Sequence, residues 1–223
     1  MDLNWDDLPI HVIDFEGGPQ CGIVEYGVVS LRGMRIEGTE TRLCRPKAKI
    51  PRHEEAVHGI RSDEASMEMP FQNEWDLFAD LRESGPLAAH FASAENRMLK
   101  SAFPYPRKSP DWARPDKKVA NWGPWVDTGV MYRELGDCEK SLKLEDLIRR
   151  YQLQNELEAL AARFCPEGRR SYHCALFDAL ASALLLLNYC QNLADERLSL
   201  RHLLAESQGS GVKRQEVKQQ NLF

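Results

Sequence analysis

The sequence predicts an α/β domain in which helices pack around one mixed sheet, and three observations predict it. Residues 10–16, 22–31 and 34–44 are rich in Val, Ile and Leu and are separated by the turn-forming stretches GGPQCG and RGM, which reads as a β-meander. Beyond them, apolar residues at helical spacing alternate with short apolar runs, so the order is βββ, α, β, α, β, α, α. Finally, 223 residues that are 43% hydrophobic can bury one substantial core, and the length requires no second domain.

In PFQNEWDLFADLRE (70–83), Phe71, Trp75, Phe78 and Leu81 recur at helical intervals until SGP stops the helix. A short strand follows in PLAAH (86–90), then a helix through SAENRMLKSAF (93–103). Pro104, Pro106, Pro110 and Pro115 predict a long irregular loop carrying Trp112 and Trp122. WVDTGVM (125–131) reads as a buried strand. SLKLEDLIRRYQL (141–153) reads as a helix with Leu144, Leu147, Ile148 and Tyr151 on one face and Ser141 as its N-cap. The last helix spans about 174–192. From 206 the chain is polar, contains Gly and Ser and lacks core residues, so a domain over 1–205 is expected to end in a flexible tail over 206–223.

The longest apolar stretch, ALASALLLL (179–187), is far shorter than the ~20 residues that span a bilayer, and the N-terminus is acidic. Six cysteines without a C-x-x-C pair suit reduced thiols, so the protein is expected in the cytoplasm, away from membranes. A net charge of -5 argues against non-specific coating of nucleic acid, which needs many cations on phosphates. It leaves open an enzyme that grips one end of a strand. Local charge is uneven, with basic runs at 45–53 and 106–118 that read as solvated loops or as a strand-tracking surface.

The chemistry concentrates in two places. HVIDFEGG (11–18) drives an apolar strand into Asp14 and Glu16, which share a face because strand side chains alternate, while Ile13 and Phe15 enter the opposite layer. Two carboxylates so close repel unless a cation lies between them, where an oxygen-rich site suits Mg²⁺ or Mn²⁺, or unless the strand ends at the sheet rim with both acids in water, the reading the pair alone favours. In SYHCALFDALASALLLL, Asp178 interrupts a helix of mostly Ala and Leu and shares a face with Cys174, Ala175 and Ala181 or Ser182. An acid buried there is costly without a partner. His173 inside the same helix would point about 140° away from Asp178, so it is expected at the helix entrance, either as an N-terminal cap or surface histidine or as a mobile imidazole able to reach the same site.

D-x-E on the first strand and H-x-x-x-x-D at a C-terminal helix together resemble the DEDDh 3′-5′ exonucleases, the DnaQ-like branch of the ribonuclease H-like fold, over residues 9–195. AVHGIRSDEA (56–65) is similar to the family's H-G-I segment, and LAAHFASAENRMLKSAF to its second exonuclease motif, A-H-N-A-x-F-D followed by a helix. WVDTGVMYREL with SLKLEDLIRRYQL resembles the strand and helix that precede the final motif. One departure stands out: the acid of the second motif is Glu95 rather than Asp, with Phe91 and Ala94 where Asn and Phe are usual.

The resemblance implies a five-stranded ribonuclease H-like mixed sheet and a hydrolase that releases nucleoside 5′-monophosphates from single-stranded or frayed 3′ ends, DNA in repair or proofreading. An RNA-trimming relative is the alternative, and a non-catalytic nucleic-acid or clamp-binding module the third reading. It implies two divalent ions, one held by Asp14, Glu16 and Asp178, the other by Asp14 with waters positioned by Glu95, and His173 as the base that takes a proton from the attacking water. Phe15, His58, Ile60 and His90 would contact the terminal nucleotide. The last five residues, QQNLF, resemble the Q-x-x-L-F peptide that docks on bacterial sliding clamps, with Gln219, Leu222 and Phe223 as its contacts.

Overall fold

The structure, a computed structural model, describes residues 3–136, 141–192 and 198–208. The meander forms where the apolar runs predict it: β1 (Ile10–Gly18), β2 (Gly22–Arg32) and β3 (Arg35–Leu43). Two short helices follow, α1 (Arg52–His58) and α2 (Ser62–Ala65), which the periodicity did not predict because neither completes two turns of an apolar stripe. Glu54 and Glu55 occupy the first turn of α1, where the helix dipole favours them, and Gly59 at φ 73° ends it. A 3₁₀ turn over Phe71–Glu74 leads into α3 (Trp75–Ser84), then β4 (Leu87–Ala89) and α4 (Ser93–Ala102).

Residues 104–124 are not an irregular loop. They contain a two-stranded ribbon, β5 (Ser109–Asp111) with β6 (Arg114–Val119), in which Pro110 lies opposite Lys118. Both strands of a two-stranded ribbon are edges, which is where a sheet tolerates proline. The ribbon is tied down from below: Trp112 Nε1 donates to the Arg82 carbonyl at 3.3 Å, and the buried Arg82 guanidinium donates to the Gly123 carbonyl at 2.5 Å. Burial holds Arg82 down at a pKa of about 10, against the opposing pull of Asp111. Arg107, from the basic run 106–118, is spent internally on Asp76, Asp80 and Glu83 and lies over the Trp75 ring.

WVDTGVM splits at Asp127. β7 (Trp125–Asp127) gives way to α5 (Thr128–Glu134), because the Asp127 carboxylate accepts the Val130 amide at 3.1 Å and caps the helix. The helix predicted over 141–153 is also divided, into α6 (Leu144–Arg150) and α7 (Gln154–Phe164), by Gln152 in the left-handed region at φ 59°. Ser141 does not cap α6; its hydroxyl accepts the Lys143 amide ahead of the helix, whose N-cap is Lys143. The long α8 (Ala175–Asn192) starts one residue later than predicted, and α9 (Leu200–Glu206) follows. Ser207 accepts the Asp127 amide at 2.8 Å, so the packed structure continues past residue 205.

The sheet order is β3-β2-β1-β4-β7, with β1, β2 and β3 antiparallel and β4 and β7 parallel to β1, a mixed five-stranded sheet flanked by helices. On one face α8 lies across β1 and β2, and Ile10, Val12, Val29 and Leu31 pack with its leucines. On the other face Ile13 and Phe15 join Phe71, Phe78, Leu99, Phe103 and Trp122. Cys21, Cys44, Cys165, Cys174 and Cys190 are buried and unbridged; Cys138 lies outside the described residues. Among the described residues no helix is long and apolar enough to cross a membrane.

Candidate active site

The acids of β1 stand at its C-terminal end on the α8 side of the sheet, the side that their alternation with Ile13 and Phe15 predicts. Asp14 pairs with Gly27 of β2, and that glycine is required: a Cβ there would lie 2.3 Å from the Leu176 nitrogen. The first turn of α8 therefore rests directly on the strand, within reach of the β1 acids. A bulge falls between Glu16 and Gly17, where Gly17 adopts φ 128°, and bulges of this kind re-aim the neighbouring side chain.

His173 lies outside α8, at its entrance, as the angular argument predicts. Its backbone is left-handed at φ 64°, the imidazole is exposed, and its amide donates to Asp178 Oδ2 at 2.9 Å. Asp178 is buried with Oδ1 unpartnered. Ligand atoms of Glu16, His173 and Asp178 lie within 4.8 Å of one another. Asp14 and Glu95 stand outside that tight group, yet Asp14 feels the charges of Glu95, Asp178 and Glu16. Glu95, in the first turn of α4, accepts the Phe15 amide, while its Oε2 is buried without a partner.

Burial dominates the titration of all four acids. It raises Asp14 well above the ordinary carboxylate range, aided by Glu95 and Asp178, and lifts Glu16 to about 8, aided by Asp178 and Glu25. Burial also takes Glu95 to about 8 and Asp178 to about 7. Carboxylates pushed to neutrality, two of them with an orphaned buried oxygen, form a donor set that fits a hard divalent cation: all oxygen, with an imidazole beside it.

Two residues that sequence reasoning missed complete the site. Glu25 lies directly opposite Glu16 across the sheet, where like charges destabilise. It is buried and held by Arg169, whose Nε donates to Oε1 at 3.0 Å and whose Nη2 pairs with Oε2; the Ala175 amide at the start of α8 also donates to Oε2, at 2.9 Å. Arg169 Nη1 donates to the His58 carbonyl at 2.7 Å. One guanidinium thus links β2, α1 and the loop before His173. The signal in the sequence was an acid inside the apolar strand GIVEYGVV, the same anomaly that marks Asp14.

The expected nucleotide contacts divide. The Phe15 ring packs 5.5 Å from Phe71, away from the acids, and only its backbone amide faces them through Glu95. His58 is buried; its Nδ1 accepts the Ile60 amide at 3.0 Å and its Nε2 is unpartnered. Ile60 packs with Cys21, Val24 and Ile50. Both nitrogens of His90 are occupied, by Thr128 Oγ1 at 3.0 Å and the Leu142 carbonyl at 2.8 Å, and burial lowers its pKa. Phe91, at φ 58° and partly exposed, has its amide and that of Ala92 on the Asp127 carboxylate. A cleft of about 440 Å³ opens next to Glu16, lined by Gly17, Gly18, Ile23 and Met98 with Lys47 and Arg97. Gln219, Leu222 and Phe223 lie outside the described residues.

No family model and no curated protein matches the chain. Solved structures do. Exonuclease X in complex with 5′ overhanging duplex DNA superposes with a TM-score of 0.61 at 21% identity, over 87% of this chain and 99% of its own. The chain has the ribonuclease H-like fold of the DEDDh exonucleases. A 3′-exonuclease that recognises the 3′ end of histone mRNA stem-loops matches with a TM-score of 0.58 at 16% identity, over 85% of this chain and 65% of its own. Exonuclease I matches at 0.60 and 12%; the chain spans 42% of that protein's length. The DEDDh-type fold was the architecture that the motifs implied, and its neighbours are exonucleases captured with both DNA and RNA.

Proposed function

We propose that the protein is a metal-dependent 3′-5′ exonuclease that releases nucleoside 5′-monophosphates from single-stranded or frayed 3′ ends, DNA before RNA. The observation that carries this reading is the convergence of Glu16, His173 and Asp178 within 4.8 Å, with Asp14 and Glu95 beside them, on a DEDDh-type fold. Asp14, Glu16 and Asp178 would hold one divalent ion; Asp14, with waters positioned by Glu95, would hold the second. Two such ions supply the positive charge that phosphodiester hydrolysis needs at the attacking and departing oxygens.

The chain's own groups do the rest. The exposed His173 imidazole is free to take the proton of the attacking water at a ring nitrogen, while its amide keeps Asp178 aimed inward. The cleft beside Gly17 and Gly18 has the dimensions and mixed apolar and cationic lining suited to a nucleotide.

The test is hydrolysis of end-labelled DNA and RNA oligonucleotides of equal sequence, with Mn²⁺ or Mg²⁺ and with chelator. Metal-dependent mononucleotide release from the 3′ end is expected, faster on DNA. Faster release from RNA would move the assignment to an RNA-trimming enzyme, a reading favoured by the neighbour bound to an mRNA stem-loop. No release and no bound Mn²⁺ would leave a binding module. The terminal QQNLF would tether the enzyme to a sliding clamp in the cytoplasm, and deleting 219–223 should then abolish clamp binding while leaving hydrolysis of short oligonucleotides intact.

A further inference from the structure

A second groove, larger than the cleft beside Gly17 and Gly18, lies elsewhere among the described residues. It measures about 630 Å³ and runs between α4, the β5–β6 ribbon and one side of α9, from Arg201 to Ala205. Asn96, the residue after Glu95, lines it at the acid end of the sheet, and its buried Oδ1 has no partner. Lys100 enters one turn further along α4, about 6 Å away along the axis. Arg114 comes from β6 and Arg201 from α9, so three separate elements aim cations into one groove.

Its only acid among the described residues is Asp111, already paired with Arg114 at 2.7 Å. Lys100 and Arg201 are exposed, with no ion-pair partner among the described residues. A chain of net charge -5 thus concentrates uncompensated positive charge in a groove whose α4 wall begins at Asn96, the residue after the candidate-site acid Glu95. Cations spread along an open groove of this length suit successive phosphates of a strand, and an unpartnered amide at its head suits a sugar or base edge.

We propose that this groove binds the phosphodiester backbone of the nucleic acid upstream of the nucleotide being removed. The inference rests on the exonuclease reading for its direction, but its binding test does not depend on hydrolysis. The full chain carrying Lys100→Gln and Arg201→Gln is titrated with 20-nucleotide DNA and RNA in chelator across a range of salt concentrations. Each lost phosphate contact on a single strand lowers the salt slope by about 0.7, so a decrease of about 1.4 is expected. Release of mononucleotide from a dinucleotide, too short to reach the groove, should be unchanged, while KM for the 20-mer rises.

An unchanged salt slope on both strands overturns the proposal, as does an equal loss on the dinucleotide and the 20-mer. Wild-type protein that binds the 20-mer with the expected salt slope yet cleaves nothing would sink the exonuclease reading and leave the groove standing. Should the double variant fold poorly by circular dichroism, Lys100→Gln alone, on an exposed helix position, carries the same test with half the change in slope. A change confined to RNA or to DNA identifies which strand the groove takes.

Discussion

The two faces of β1 are built from the same nine residues and solve opposite problems. Toward α3 and α4, Ile13 and Phe15 enter an aromatic layer in which Phe78 lies 5.5 Å from Phe15 and Tyr26 and 5.1 Å from Phe71. Aromatic pairs at such distances add to the burial of apolar area. Toward α8, the same strand changes after Val12 from core residues to acids whose charges are raised in energy by burial and by one another. One face contributes stability; the other gives some of it up to hold a cluster of buried acids together.

The largest effect should come from the acid face. Asp178→Asn is expected to reduce metal-dependent nucleotide release by roughly 10³-fold or more, since on the proposed reading it removes a metal ligand. Its metal-free melting temperature at pH 8 should rise or hold. A large fall would mean that the acid is structural. Phe78→Ala, on the opposite face, should cost about 3 to 5 kcal/mol of stability by chemical denaturation and leave kcat per folded molecule nearly unchanged. Activity lost with stability retained would erase the distinction between the faces.

Arg169→Met separates the two further. It strips Glu25 of its counter-charge beside Glu16, and breaking a buried pair from one side costs on the order of 3 kcal/mol. The double change Glu25→Gln with Arg169→Met should recover much of that in a denaturant titration.

Acidity provides a subtler probe. The folded pKa values of Glu16 and Glu95, about 8, lie above those of the unfolded chain, so the folded state binds more protons between them. The stability this contributes is complete below the ordinary carboxylate range and is lost as pH rises through about 8. Metal-free protein should therefore melt at lower temperature at pH 8 than at pH 5.5, and Mn²⁺ should restore the difference. A metal-free melting temperature that rises over this interval would contradict the raised values. The smallest change is expected from Glu95→Asp, which keeps the charge and should hold activity within roughly tenfold of wild type; complete inactivation would show a site built around the longer side chain.

What was legible in the sequence followed from periodicity and from misplaced charge. The meander, α3 and α8 have long apolar patterns with clear stops, and Asp14, Glu16 and Asp178 are acids where an apolar residue would pack. The ribbon at 109–119 was not legible, since it is held by tertiary contacts such as those of Arg82 and Trp112 rather than by its own pattern, and the paired short helices at 52–65 were not, since neither completes two turns of an apolar stripe. WVDTGVM misled because Asp127 reads equally as a strand residue and as a helix cap; the Val130 amide decides for the cap. Arg169 was invisible because its partners, Glu25 and the His58 carbonyl, are distant in sequence and meet only when the sheet closes against α8.

The left-handed backbone at His173 has a further consequence. It turns the amide inward to Asp178 and leaves the ring outside, so one residue serves two masters through different atoms. Deleting the ring leaves the amide where it was. If the protein is the exonuclease proposed, a family of variants at this one position would silence proton transfer while preserving the acid's aim, giving a protein that still captures ions and strand ends but lets them go uncut.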